Sequence, residues 1–325
     1  MGHRKHSQPR RGSLAYLPHG RARSMEARIR TWINNDISNA PKILGHAGFK
    51  VGCLQIASVD DKEKTPNAGK QIIDIGTILA TPPAVVVAAR GYSDENKIYD
   101  VFASNLPKEI IKYVKPKKNG IKILENKLSK IKRLFVILAV IPSNVGLSQK
   151  KPYIFEVGIN GNDMKEQLEF IKKNLGKSLK ISDIFEAGTK IDVAAITKGK
   201  GWEGPITRWG VKRKQHKSRK SVREVGSLGP ISPQNVMYTV PRAGQRGFHQ
   251  RIEYNKRIMV VSNTTKNEFK INPKGGFKHF GFIDGDYIII RGSVPGSIKR
   301  LIKLRTSIRS PQKKLIKPNV ISIIR

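Results

Sequence analysis

AAITKGKGWEGPITRWGVKRKQHKSRKSVREVGSLGPISPQNVMYTVPRAGQRGFHQ, residues 194–250, is the stretch on which the reading of this chain turns. Over residues 198–223 it carries ten cations, Lys198, Lys200, Arg208, Lys212, Arg213, Lys214, Lys217, Arg219, Lys220 and Arg223, against one acid, Glu203. Like charges at that density repel one another, so the stretch cannot form a compact core by itself. It is not a featureless tail either. Trp202, Trp209, Tyr238 and Phe248 are interleaved with the cations, and Gly204-Pro205, Gly229-Pro230 and Gly244 specify bends. A shaped cationic stretch with aromatic faces calls for a polyanionic partner.

Strand-like runs flank it. Upstream, residues 49–59, 71–79, 84–89 and 193–197 are rich in Val, Ile and Ala, and Thr81-Pro82-Pro83 separates two of them. Downstream, residues 256–261, 269–271, 287–291, 298–304 and 320–324 read the same way, with turns at Asp284-Gly285-Asp286 and Val294-Pro295-Gly296-Ser297. Short strands with Gly and Pro joints predict a barrel. Residues 94–192 differ: they hold 12 of the 24 acids against 19 cations. Helices are predicted there at 108–113, 121–132 and 163–175, the last with Met164, Leu168, Ile171 and Leu175 at helical spacing, and strands at 134–141 and 154–159. This mixture predicts an α/β insertion in a β domain. Helices so spaced face a core, and no ligand site is expected in the insertion.

Residues 1–30 carry eight Lys or Arg and one Glu, with Pro9, Gly12, Pro18 and Gly20 spaced against any helix. Leu14, Tyr16 and Leu17 among those cations suit a basic arm lodged in folded RNA. The net charge of +38 also names nucleic acid as the partner. The eight-residue apolar run at 134–141 is far short of the roughly 20 residues of a membrane-spanning helix, so no membrane partner is expected. The amino terminus shows no apolar signal region, so a cytoplasmic location is expected. Cys53, the one cysteine, excludes an intramolecular disulfide, and its apolar neighbours predict a buried thiol.

Chemistry-bearing patterns are few. Gly199-Lys200-Gly201-Trp202-Glu203-Gly204 matches GxGxxG, with Glu224 twenty residues on. That fingerprint needs a helix opening at its third glycine, whereas Pro205 follows and residues 208–223 lack an apolar stripe. Close approach of backbone to an RNA phosphate uses the same glycines. The seven histidines are scattered, and no GxSxG, HExxH or spaced carboxylate pair occurs. No catalytic residue, metal, cofactor or small-molecule substrate is expected. An RNA-modifying enzyme with basic guide arms would need a cofactor cleft and a nucleophile or base. A DNA-compacting protein would account for the charge but not for a barrel with a patterned loop.

Several motifs occur together in order: GHRKHSQPRRGSLAYLP (2–18), HAGFKVG (46–52), TPPAVVVAARGY (81–92), TKGKGWEGPITRWG (197–210), GSLGP (226–230), PRAGQRGFHQR (241–251) and RGSVPG (291–296). With them the chain resembles the universal large-subunit ribosomal protein L-three family in its archaeal and eukaryotic form. The resemblance implies a β-rich α+β fold, with a six-stranded translation-protein-type β-barrel, an inserted α/β domain and two extended basic arms. Its divisions fall at 1–30 for the arm, 31–93 and 256–325 with 190–197 for the barrel, 94–189 for the insertion, and 198–255 for the central extension.

It also implies a primary rRNA-binding protein that nucleates subunit assembly and extends a loop towards the peptidyl-transferase centre. The implied neighbours are proteins of the L-fourteen and L-twenty-four-e families. Candidate rRNA contacts, besides the ten cations above, are Arg4, Lys5, Arg10, Arg11, Arg21, Arg23, Trp202, Trp209, His216, Arg242, Arg246, His249 and Arg251. The loop tip is Gly229, Pro230, Ile231, Ser232 and Pro233. Three positions depart from the family: Ile231 stands where tryptophan is usual, Arg219 where eukaryotic members carry a modified histidine, and Cys53 where methionine is usual.

Overall fold

The structure is a computed structural model that describes residues 11–33, 40–93, 97–114, 120–161, 163–218, 221–266, 269–309 and 316–324. The chain divides into two compact units, one of Met1–Met25 with Ile196–Gln250 and one of Glu26–Ala195 with Arg251–Arg325. In chain order the regular elements begin with β1 (Lys42–Ile43), β2 (Gly45–Val59), β3 (Gln71–Ala80), β4 (Ala84–Ser93) and β5 (Ile98–Phe102). Then come α1 (Lys108–Ile111), α2 (Gly120–Asn126), β6 (Ile131–Val140), β7 (Tyr153–Asn160), α3 (Met164–Asn174), β8 (Ser178–Leu179) and β9 (Lys190–Ile196). The remainder is β10 (Trp202–Glu203), α4 (Pro205–Trp209), β11 (Gly244–Gln245), β12 (Gln250–Asn263), β13 (Asp286–Arg291), β14 (Leu301–Thr306) and β15 (Val320–Ile324). The fold is β-rich α+β, as expected.

In the larger unit the strands form two sheets. One runs β14-β9-β12-β13-β3-β2-β15, and β14 pairs with β2 as well as β9. The hydrogen bonds of β2, β3, β13, β12, β9 and β14 therefore lead back to the strand they started from, which leaves those six without a bare ladder edge. The other sheet runs β1-β7-β6-β4-β5, with β8 on β4. Ile288, Ile289 and Ile290 of β13 are buried on both faces, which is why that strand reads as an unbroken apolar run. One hydrophobic cluster takes side chains from both sheets, among them Phe49, Ile78, Ile191 and Ile289 from the first and Leu134, Val136, Leu138 and Val157 from the second. α3 adds Leu168 and Ile171 to it. Val85, Val87, Ile137 and Ala139 form a separate cluster with Ile110 of α1.

Several expectations are corrected. Cys53 is exposed. A register shift between Lys50 and Gly52 resets the alternation of β2, so Leu54 and Ile56 turn inward and Cys53 turns out, with Sγ 3.7 Å from Thr77 Oγ1. Residues 269–271 are not a strand: Ile271 is buried, and the Asn272 amide bonds both the N–H and the C=O of Ile283, replacing a ladder. The helix expected at 121–132 ends at Asn126, and β6 takes over from Ile131. Lys299 has φ 68, so strand β14 begins only at Leu301. Finally, a helix does open after Gly204. Proline is well placed at a first helical position, where no N–H is needed, and α4 carries Pro205 there before left-handed Gly210 ends it after five residues.

Candidate nucleic-acid interface

The smaller unit holds eighteen Lys and Arg against two acids, Glu203 and Glu224. Its order comes from backbone bonds rather than from an apolar core. Residues 197–203 run antiparallel to 244–249: Thr197 N–H bonds His249 O at 2.9 Å, Phe248 N–H bonds Lys198 O at 3.2 Å, Lys200 N–H bonds Arg246 O at 2.9 Å, and Arg246 N–H bonds Gly201 O at 2.9 Å. β10 pairs β11 at the end of this ladder, Trp202 opposite Gln245. Gly199 and Gly201 thus lie in an extended segment paired with the returning chain, and Gly204 caps α4.

α4 is fastened to the returning chain. Arg208 donates from Nε to Gln245 O (3.1 Å) and from Nη1 to Arg242 O (3.0 Å), and Trp209 Nε1 donates to Arg242 O (3.0 Å). Burial pushes the Arg208 guanidinium below its ordinary value. The N-terminal segment closes over the indole. His19 stacks on Trp209 at 5.0 Å, Gly12 lies against its ring, and Arg11 Nη1 donates to Gly210 O. Ala22 N–H bonds Phe248 O at 2.8 Å. The Gly247 N–H points to His249 Nε2 at 3.0 Å, so that nitrogen accepts, and Nδ1, 2.8 Å from Gly20 O, carries the proton.

These bonds sort the candidates. Trp209 is buried, Arg208 and His249 serve the unit's own backbone, and Arg246 pairs with Glu203 at 2.7 Å. Arg11, Arg21, Arg23, Lys198, Lys200, Lys212, Arg213, His216, Lys217, Arg223 and Arg242 are exposed, and Lys214 is half-buried. Arg251 belongs to the larger unit. Arg4, Lys5, Arg10, Arg219 and Lys220 lie outside the described residues. Trp202 and Tyr238 are 77% and 75% exposed, and Ile231 at the tip is 92% exposed.

Residues 1–323 match the family described as Ribosomal protein L3. The chain belongs to that family. Among L3 relatives, "Large ribosomal subunit protein uL3" of Methanocaldococcus jannaschii is 42% identical, over 98% of this chain and 96% of its own. The uL3 proteins of Methanococcoides burtonii and Caldivirga maquilingensis are 38% and 39% identical, over 99% and 96% of this chain and 97% and 93% of theirs. Both segments of the basic unit fall inside the L3 match. Sequence reasoning passed over Met237, 61% exposed next to Tyr238, and Val236, 46% exposed. Their signal was present: an apolar Val-Met-Tyr run in a stretch with no strand pattern.

Among the described residues no cluster of His, Cys, Asp and Glu could hold a metal ion, and no helix is long and apolar enough to cross a membrane.

Proposed function

We propose that the basic unit is an RNA-shaped probe: a backbone-braced scaffold whose outward cations neutralise rRNA phosphates and whose exposed Trp202 and Tyr238 offer faces to bases. As a member of the ribosomal protein L3 family the protein is a structural constituent of the cytoplasmic large ribosomal subunit, an rRNA-binding protein and not an enzyme. The observation that carries the reading is the division of labour among the cations. Arg208 and Arg246 are spent on carbonyls and Glu203, whereas Lys212, Arg213, Lys217 and Arg223 face outward.

In this reading the closed circuit of six strands is the translation-protein-type barrel, residues 94–189 are its inserted α/β domain, and residues 1–30 and 198–255 are the two arms. The remaining candidates, Arg4, Lys5, Arg10, Arg219 and Lys220 included, act on phosphates, while Trp209 and His249 hold the arm in shape. The protein binds early, nucleates assembly, and directs the Gly229–Pro233 loop towards the peptidyl-transferase centre. Neighbours of the L-fourteen and L-twenty-four-e families complete its surroundings.

Titration of the purified protein with large-subunit rRNA over a range of salt concentrations tests this. Changing Lys212, Arg213, Lys217 and Arg223 to Gln lowers the log-log salt slope by roughly 0.7–0.9 per lost phosphate contact. An unchanged slope would show that these side chains do not touch phosphate.

A further inference from the structure

The larger unit contains a cleft of about 610 Å3 on the second sheet. Strand alternation builds it. In β6, Leu134, Val136 and Leu138 turn to the shared core, so Arg133 and Phe135 turn to the opposite face. Register then sets Tyr92 of β4 beside Arg133, and Gly158 of β7 beside Phe135. Tyr92 and Phe135 meet edge to face, with ring centroids 5.3 Å apart at 88°. Residues 28–32 supply another wall, with Trp32 laid against Gly158.

The lining is cationic as well as aromatic: Arg28, Arg30, Lys132 and Arg133 contribute to it. Its acid, Glu156, is already engaged, accepting from Tyr92 Oη at 2.9 Å and lying 3.4 Å from Arg90 Nη1. A free phosphate would have no use for the aromatic floor, and an apolar ligand none for four cations. A base with its flanking phosphates uses both, and the volume is ordinary for a site of that size. In duplex RNA the bases are stacked away, so the base has to come from a loop or bulge.

We propose that this cleft takes one unstacked nucleotide of large-subunit rRNA, its base against Phe135 and Tyr92 and its phosphates on Arg30 and Arg133. The inference rests on the rRNA-binding reading above and adds a contact whose aromatic floor, Tyr92 and Phe135, lies outside both basic arms.

The test uses the full-length protein, full-length large-subunit rRNA, ultraviolet crosslinking with mass spectrometry, and binding titrations in salt. Wild type should crosslink a loop nucleotide at Tyr92 or Phe135. Phe135→Leu should weaken binding about tenfold at an unchanged salt slope. Arg30→Gln with Arg133→Gln, both exposed in the protein, should lower the slope by roughly 1.4–1.8, for two phosphates, while crosslinks through Trp202 persist. Circular dichroism melts check that the variants are folded.

The proposal is overturned if wild type binds and crosslinks through Trp202 while both variants keep full affinity and slope and nothing attaches at Tyr92 or Phe135. Crosslinking of an acidic protein segment there in assembled subunits also overturns it. Failure of wild type to bind rRNA at all would remove the rRNA reading together with this one.

Discussion

Arg305 and Asp192 form an ion pair inside the larger unit, with Nε and Nη2 of the arginine 3.1 and 3.0 Å from one carboxylate oxygen. The two residues stand directly opposite each other on β14 and β9, and they are 4% and 0% exposed. Asp192 also accepts from the Asn255 N–H at 3.0 Å, and Arg305 donates to Thr31 O at 2.6 Å. The pair therefore joins β14 to β9, and ties them to β12 through Asn255 and to the segment at Thr31.

Removing one partner leaves a buried charge without compensation, a cost of about 3–5 kcal/mol. Asp192→Ala is expected to lower unfolding free energy by that amount in urea titrations. Asp192→Leu with Arg305→Met should recover part of the loss, because no charge is stranded, but not all, because Thr31 O and Asn255 N–H lose partners. Equal stability of the single and double variants would contradict this account.

His46 lies wholly buried in β2. Burial pushes its imidazole from 6.5 down to about 4, against the opposing pull of backbone hydrogen bonds at Ala47 and Leu179. The unfolded chain thus takes up a proton near pH 6.5 that the folded chain refuses until about pH 4. Stability is full above the unfolded value and falls as pH drops through that window, by about 3 kcal/mol from this one group. Urea titrations between pH 7.5 and 4.5 should show a shallower pH dependence for His46→Leu than for wild type. Parallel curves would mean that other groups carry the acid sensitivity.

Gly158 permits a close approach that no other residue allows. A Cβ there would stand 2.7 Å from Trp32 Cγ and 2.8 Å from Trp32 Cβ. Gly158→Ala is expected to displace the indole and destabilise by about 1–3 kcal/mol, as overfilled sites do. Gly275→Ala, with nothing within 4 Å, is the control and should be neutral. A melt in which both variants match wild type would show that Trp32 is not held against the sheet.

The strands that could be read from the sequence are those whose burial follows a single rule along their length. The isoleucines of β13 are buried on both faces, and the Val and Ala residues of β4 likewise, so an apolar run was sufficient signal. Cys53 was misread because the bulge at Lys50 and Gly52 changes which residues face inward, and a bulge has no composition of its own. The cationic arm was legible as charge and aromatics. Which aromatics stay available was not: Trp209 is covered by His19, nearly two hundred positions away in sequence. The cleft at Phe135 was hidden for the same reason, since strand register brings Tyr92 and Gly158 to it and Trp32 reaches it from a segment about a hundred positions away in sequence.

Ile231 stands at the loop tip, Gly229–Pro233. It is 92% exposed between Pro230 and Pro233, so it buries almost nothing in the protein itself. Ile231→Ala should leave stability within about 0.5 kcal/mol of wild type, the usual range for a surface change. Its work, in the reading proposed here, is done against RNA. A branched aliphatic fills a gap between bases without stacking, and an indole at the same position would add about 1–3 kcal/mol per base. Ile231→Trp should therefore tighten the loop's hold on rRNA, while Ile231→Ala should leave assembly intact and change peptidyl transfer only modestly. Single-turnover peptidyl transfer by purified variant subunits is the measurement. A fall of about ten-thousandfold, the scale of losing a general acid or base, would make the loop essential to the active conformation and end the tuning role.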